Sequence, residues 1–76
     1  MGTNDKKSSA IDPEHYKRFL IEPYDFISKN KLSYGQGNVI KYTCRYNYKN
    51  GIEDLEKARK YIDFLIKELK DNEKTR

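Results

Sequence analysis

From Ile52 onward the apolar residues recur at steps of three and four: Ile52, Leu55, Ala58, Ile62, Leu65, Ile66 and Leu69. That spacing lays one stripe along a helix and gives a strand no coherent face. Glu53, Asp54 and Glu56 fall in the first turn and Lys67 and Lys70 in the last, the polarity that the helix dipole favours. The spacing therefore predicts a helix from about Ile52 to Lys70, and its stripe must be covered by something. The chain has 76 residues to do this with, one domain at most, and chains of this size bury only roughly 60% of their unfolded surface. Cys44 is the single cysteine. It has no partner for an internal disulfide and no second ligand at metal-binding spacing, so neither a disulfide nor a metal site is expected. Tight helix packing and self-association are the remaining remedies, which makes a homo-oligomer the expectation.

The rest of the chain reads as shorter helices joined by capped turns. Asp12 and Pro13 resemble an N-cap with proline at the first helical position, opening a turn over "PEHYKRF". Pro23 starts another brief helix, "PYDFISKN", with Tyr24, Phe26 and Ile27 available to pack. Ser33 stands three residues before Gln36, the spacing of a capping box. A second main helix then runs from about Tyr34 to Asn47 and ends at "YKNG". Gly35 and Gly37 in its first turns cost about 1 kcal/mol each relative to alanine, so a close backbone approach by a partner or ligand is expected there. No alternating apolar pattern competes. The class is all-α: a compact small helical domain of two main packed helices plus short N-terminal helices, oligomeric. Residues 1–10 read as a disordered arm, 11–71 as the single helical domain and 72–76 as a flexible tail. No apolar run approaches a membrane span and no signal-peptide pattern is present, so a cytoplasmic protein is expected.

The charge is more informative by place than in total. The net charge of +4 comes from 16 basic and 12 acidic residues, below the footprint of a clear nucleic-acid binder. Yet the stretch from Lys29 to Lys49 holds no acidic residue. At helical spacing, Val39, Ile40, Thr43 and Cys44 cover one side of the central helix, which is expected to pack on the aliphatic stripe, with Cys44 as a small core residue. Asn38, Lys41, Tyr42, Arg45 and Lys49 cover the other. An ordinary solvated face is the plain reading of that second set. The sharper reading is a phosphate site, because arginine offers a planar fork, lysine a mobile charge and tyrosine a stacking ring with a hydroxyl. The glycine-rich helix start would let an anion approach backbone N–H groups, although "GQGN" is not a phosphate loop. On the next helix Asp54 and Lys57 read as a surface ion pair. Tyr61 and Phe64 read as a subunit contact. His15 reads as a structural or capping residue, or with Lys17 and Arg18 as a lid on the anion site.

The blocks "IDPEHYK", "IEPYDFI", "GNVIKYTCRYNYKNG" and "DLEKARKYIDFLI" resemble the small tailed-phage family called SaV-like, whose pattern covers Asp12 to about Leu65. The motif residues carried over by position are His15, Tyr16, Asn38, Lys41, Tyr42, Arg45, Lys49, Asn50, Asp54 and Lys57. Some larger phage proteins with this domain are described as nucleotide kinases, so the resemblance implies a nucleotide ligand and the cytoplasm of an infected bacterial host. Here only the bare domain is present.

Three functions follow as expectations. The first is a binding module that captures a phosphate-bearing nucleotide, for which a host defence signal is one candidate, with no cofactor. The second is a nucleoside monophosphate kinase. It needs carboxylate-held magnesium, which Asp54 or Asp25 would have to supply. The third is a structural or nucleic-acid interaction module, recognisable by salt-sensitive affinity for long chains.

Overall fold

The computed structural model describes residues 18–74. Among the described residues three helices follow one another: α1 (Pro23–Lys29), α2 (Tyr34–Arg45) and α3 (Ile52–Lys74). No strand occurs among the described residues, and α2 packs on both α1 and α3. The fold is all-α, as the periodicity requires. The helical turn expected from Pro13, with His15, Tyr16 and Lys17, lies outside the described residues, as does the arm over 1–10.

Each helix end has a local cause. Pro23 sits in the first turn of α1, with Asp25 beside it and Lys29 in the last turn. The helix closes with Lys31 N–H donating to the Ser28 carbonyl and Leu32 N–H to the Ile27 carbonyl, both at 3.1 Å, the paired bonds of a Schellman ending. The left-handed residue of that ending is Lys31, at φ 54, where glycine is usual. Lys31→Gly is expected to stabilise the fold by up to about 1 kcal/mol, the relief of Cβ strain less the added chain entropy. Thermal denaturation followed by circular dichroism checks it.

The capping box at α2 forms as its spacing predicts. Ser33 Oγ accepts from the Gln36 N–H at 3.1 Å, and Gln36 Oε1 accepts from the Ser33 N–H at 3.0 Å. α2 stops at Arg45, short of Asn47, because the chain winds into a turn there. In that turn Gly51 N–H reaches the Tyr46 carbonyl at 2.8 Å with Gly51 at φ 55. α3 runs past Lys70 to Lys74, so 72–74 are helical rather than a loose tail. The Lys67–Asp71 pair at 2.8 Å spans the expected end.

The two glycines of α2 are explained by helix packing. A Cβ on Gly35 would stand 2.8 Å from Leu65 Cδ2 on α3, and one on Gly37 would stand 3.0 Å from Ile27 Cγ2 on α1. Gly37 and Asn38 are buried on α2, and Asp54 and Ala58 on α3.

These contacts correct the expected orientation of both main helices. The face of α2 turned toward α3 carries Gly35, Tyr42 and Arg45, which meet Leu65, Tyr61 and Asp54. Thr43 is exposed, its hydroxyl donating to the Val39 and Ile40 carbonyls. Cys44 is half-buried. Burial first, and then the Glu22 charge, push its thiol above the ordinary value, so the neighbouring Arg45 does not activate it. The physical reason for the rotation is that Gly35 lets α2 approach Leu65 while a tyrosine stack and a bidentate ion pair fill the remaining width. Of the aliphatic stripe of α3, Ala58 and Leu65 turn inward, while Ile52, Leu55, Ile62, Ile66 and Leu69 are left facing outward.

Candidate functional site

The innermost polar feature is the pair between Arg45 and Asp54. Arg45 Nε and one terminal nitrogen donate to the two Asp54 carboxylate oxygens, each at 3.1 Å. The Asn50 backbone N–H adds a third bond at 3.1 Å. Asp54 is 0% exposed. The Arg45 hydrogen bond, supported by the Asn50 bond and the Arg45 charge, holds its carboxyl below the usual range against the opposing effect of burial. The same bond raises Arg45. A fork-to-fork pair of this kind fixes two helices in register as well as in distance. It also corrects the reading of Asp54 and Lys57 as one surface pair: Lys57 Nζ stands 3.6 Å from Glu53 Oε2 instead.

Around this pair sits an aromatic and cationic cluster. The Tyr42 ring stacks on Tyr61, with centroids 6.1 Å apart and planes 13° off parallel. Tyr61 meets Tyr34 and Phe64 edge-on, each at 5.8 Å. Three cations surround the Tyr42 ring: Lys41 Nζ at 4.8 Å, the Arg45 guanidinium at 4.8 Å and Lys57 Nζ at 5.5 Å. Such positions gain from the ring's negative face, yet three like charges around one ring also repel. Asp54 answers Arg45 and Glu53 answers Lys57. Among the described residues no carboxylate pairs with Lys41.

Lys41 also lines a hollow of about 460 Å³ between α1 and α2, together with Tyr24, Ile27, Tyr34, Gly37 and Asn38. That volume falls within the ordinary range for small-molecule sites, about 300–1,000 Å³. Tyr24 and Tyr34 expose most of their surface, 74% and 78%. Hydrogen bonds from Tyr61 and Asn38 pull the Tyr34 phenol below its ordinary value, with the Lys41 charge adding to them. The Asn38 side-chain amide also donates to the Tyr34 carbonyl at 3.0 Å. The hollow thus has one uncompensated cation, two aromatic rings and a set of hydroxyl and amide groups.

The structure brings Asn38, Lys41, Tyr42, Arg45, Asp54 and Lys57 together across α2 and α3. Their duties differ: Asn38 and Asp54 are buried, Arg45 is committed to Asp54, and Lys41 is exposed. Lys49 is exposed on the turn after α2, and Asn50 serves Asp54 through its backbone. His15 and Tyr16 lie outside the described residues. Arg18, read with them as a lid, places its guanidinium 3.6 Å over the Tyr48 ring. Tyr61, read as a subunit contact, has its ring inside the chain's own α2–α3 contact, while Phe64 remains 49% exposed.

Sequence reasoning missed Tyr24 and Tyr34 as site residues. The available signal was their placement in the first turns of two helices joined by the short "NKLS" link, which sets both residues on the lining of one hollow.

No curated protein and no solved structure matches the chain. A family profile matches residues 11–63, a span that includes the hollow and every residue of the cluster but Phe64. The chain therefore belongs to the family described as a protein of unknown function, DUF3310.

Proposed function

We propose that this protein captures a phosphate-bearing nucleotide in the hollow between α1 and α2. The observation that carries the proposal is Lys41, a cation with no described carboxylate partner, set at the edge of a hollow flanked by two exposed tyrosine rings. A base is a flat apolar surface with hydrogen-bonding edges, and Tyr24 and Tyr34 offer rings for it to stack on. The phosphate is an acceptor-only anion, and Lys41 supplies the charge it needs, with Lys57 the farther lysine on the same Tyr42 ring. Arg45 sets the position of this cationic group by holding α2 against α3. The phage setting and a role in sequestering a host defence nucleotide rest on the family resemblance, and they extend the same reading.

Phosphoryl transfer is the competing function, and it asks for a carboxylate placed to hold magnesium beside the phosphates. Of the two candidates offered by the sequence, Asp54 is enclosed and bonded through both oxygens, and Asp25 does not line the hollow that holds Lys41. Capture accordingly uses the observed geometry without rearranging it.

The test is a screen of the purified chain against mono-, di- and cyclic nucleotides, with bound ligand recovered and analysed by mass spectrometry. Capture predicts saturable binding and recovery of unaltered ligand. A phosphorylated product formed with magnesium would replace capture with the kinase reading.

A further inference from the structure

Five residues of the aliphatic stripe of α3 are used by neither the fold nor the proposed site. Ile52, Leu55, Ile62, Ile66 and Leu69 are 40–75% exposed. Meanwhile Ala58 is the one hydrophobic side chain that is buried among the described residues. A chain so placed has its apolar surface on the outside, which is the condition that self-association relieves.

The stripe has a more specific form than simple apolarity. With Arg59 included, its members are Ile52, Leu55, Arg59, Ile62, Ile66 and Leu69, alternating steps of three and four. That is the seam of a helix built to pair with another helix at about 3.5 residues per turn. These exposed side chains lie together on one face of α3, and a contiguous apolar face of this kind marks an interaction surface.

We infer that α3 pairs with α3 of a second copy, antiparallel across a two-fold axis, through this seam. Charge decides the direction. A parallel in-register pair would set Arg59 against Arg59 at the middle of an apolar contact, and like charges there are destabilising. An antiparallel pair centred between Arg59 and Ile62 sets Ile52 against Leu69, Leu55 against Ile66 and Arg59 against Ile62. Asp63 follows Ile62 on the seam's edge, so each Arg59 reaches toward an Asp63 carboxylate of the other copy. Arg59 and Asp63 are both exposed, and neither has an ion-pair partner among the described residues. The two-fold axis makes both contacts equivalent, as an isologous dimer requires.

Sedimentation equilibrium on the full chain, from about 1 to 300 µM, tests this. The wild type is expected to be a dimer in that range, and Ile62→Asp a monomer. Arg59→Glu, on an exposed position that the monomer fold does not use, is expected to weaken dimerisation at least about tenfold by placing it against Asp63. Arg59→Glu combined with Asp63→Arg is expected to restore it. This charge exchange decides the matter even if Ile62→Asp fails to fold, and circular dichroism on each variant shows which case holds. A wild-type monomer, a trimer or larger assembly, or a dimer indifferent to Arg59→Glu would overturn the proposal.

Discussion

Asp54→Asn is expected to lower the melting temperature by at least about 10 °C, the largest effect on stability of any single change outside the backbone. The carboxylate is fully enclosed and accepts from both faces of the Arg45 fork and from the Asn50 N–H. Asparagine keeps the volume but turns an amide toward donors and removes the charge that balances Arg45. The guanidinium is then left without its counter-ion at a part-buried site, the condition under which breaking a pair costs most. Arg45→Ala is expected to do similar damage from the other side, and Arg45→Lys to recover only part, because lysine lacks the planar fork. The same pair gives a pH dependence of fixed sign. The folded-state pKa of Asp54 is depressed, so its stabilisation is fully present above the unfolded value of about 3.9. It is lost as the pH falls below that and through the folded value. Melting curves between neutral pH and pH 2 should therefore show wild type and Asp54→Asn converging in acid. A variant that melts with the wild type at neutral pH would show that the pair does not hold the helices.

Helix existence was legible in the sequence because it is written in local rules. The Ser33–Gln36 box, Pro23 and the acidic start of α3 each act within one turn. Helix rotation was not, because it depends on which of two faces gains more from contact. Gly35 was read as a cost awaiting a partner, and that partner is Leu65. At helical spacing Arg45 reads as part of the phosphate face, whereas the buried Asp54 nine residues on draws its guanidinium between the helices. No spacing rule links those two positions, since each lies on a different helix and the turn between them sets their approach. The same inversion explains why Tyr61 fills the chain's interior contact while Ile62 and Ile66 face outward. Lys41 and Tyr42 share one side of α2 at helical spacing, Lys57 joins them through the family pattern, and the ring shared by the two lysines became visible once α2 and α3 were set side by side.

Lys41→Ala is expected to weaken nucleotide binding by about ten- to a hundredfold, the worth of one charge-assisted hydrogen bond to phosphate. The side chain is exposed, and its described contact is with the Tyr42 ring, so the melting temperature should stay within a few degrees of wild type. Lys41→Arg should keep most of the affinity, since the charge remains within reach. Lys49→Ala, on the exposed turn after α2, should alter affinity less than Lys41→Ala. Tyr42→Phe separates two duties: stacking on Tyr61 survives it, and a hydroxyl contact with the ligand does not. Calorimetric titration of these variants, each confirmed folded by circular dichroism, yields the comparison. Equal losses at Lys41 and Lys49 would indicate attraction to general positive charge, with no defined site.

The most direct test of the account is a calorimetric titration of the purified wild-type chain with nucleoside mono-, di- and cyclic phosphates, set beside the matching nucleosides. Capture at Lys41 predicts saturable binding of a phosphate-bearing member, weaker binding of its nucleoside, and loss of that difference in Lys41→Ala. Absence of saturable binding by every nucleotide, with the chain folded, would contradict it.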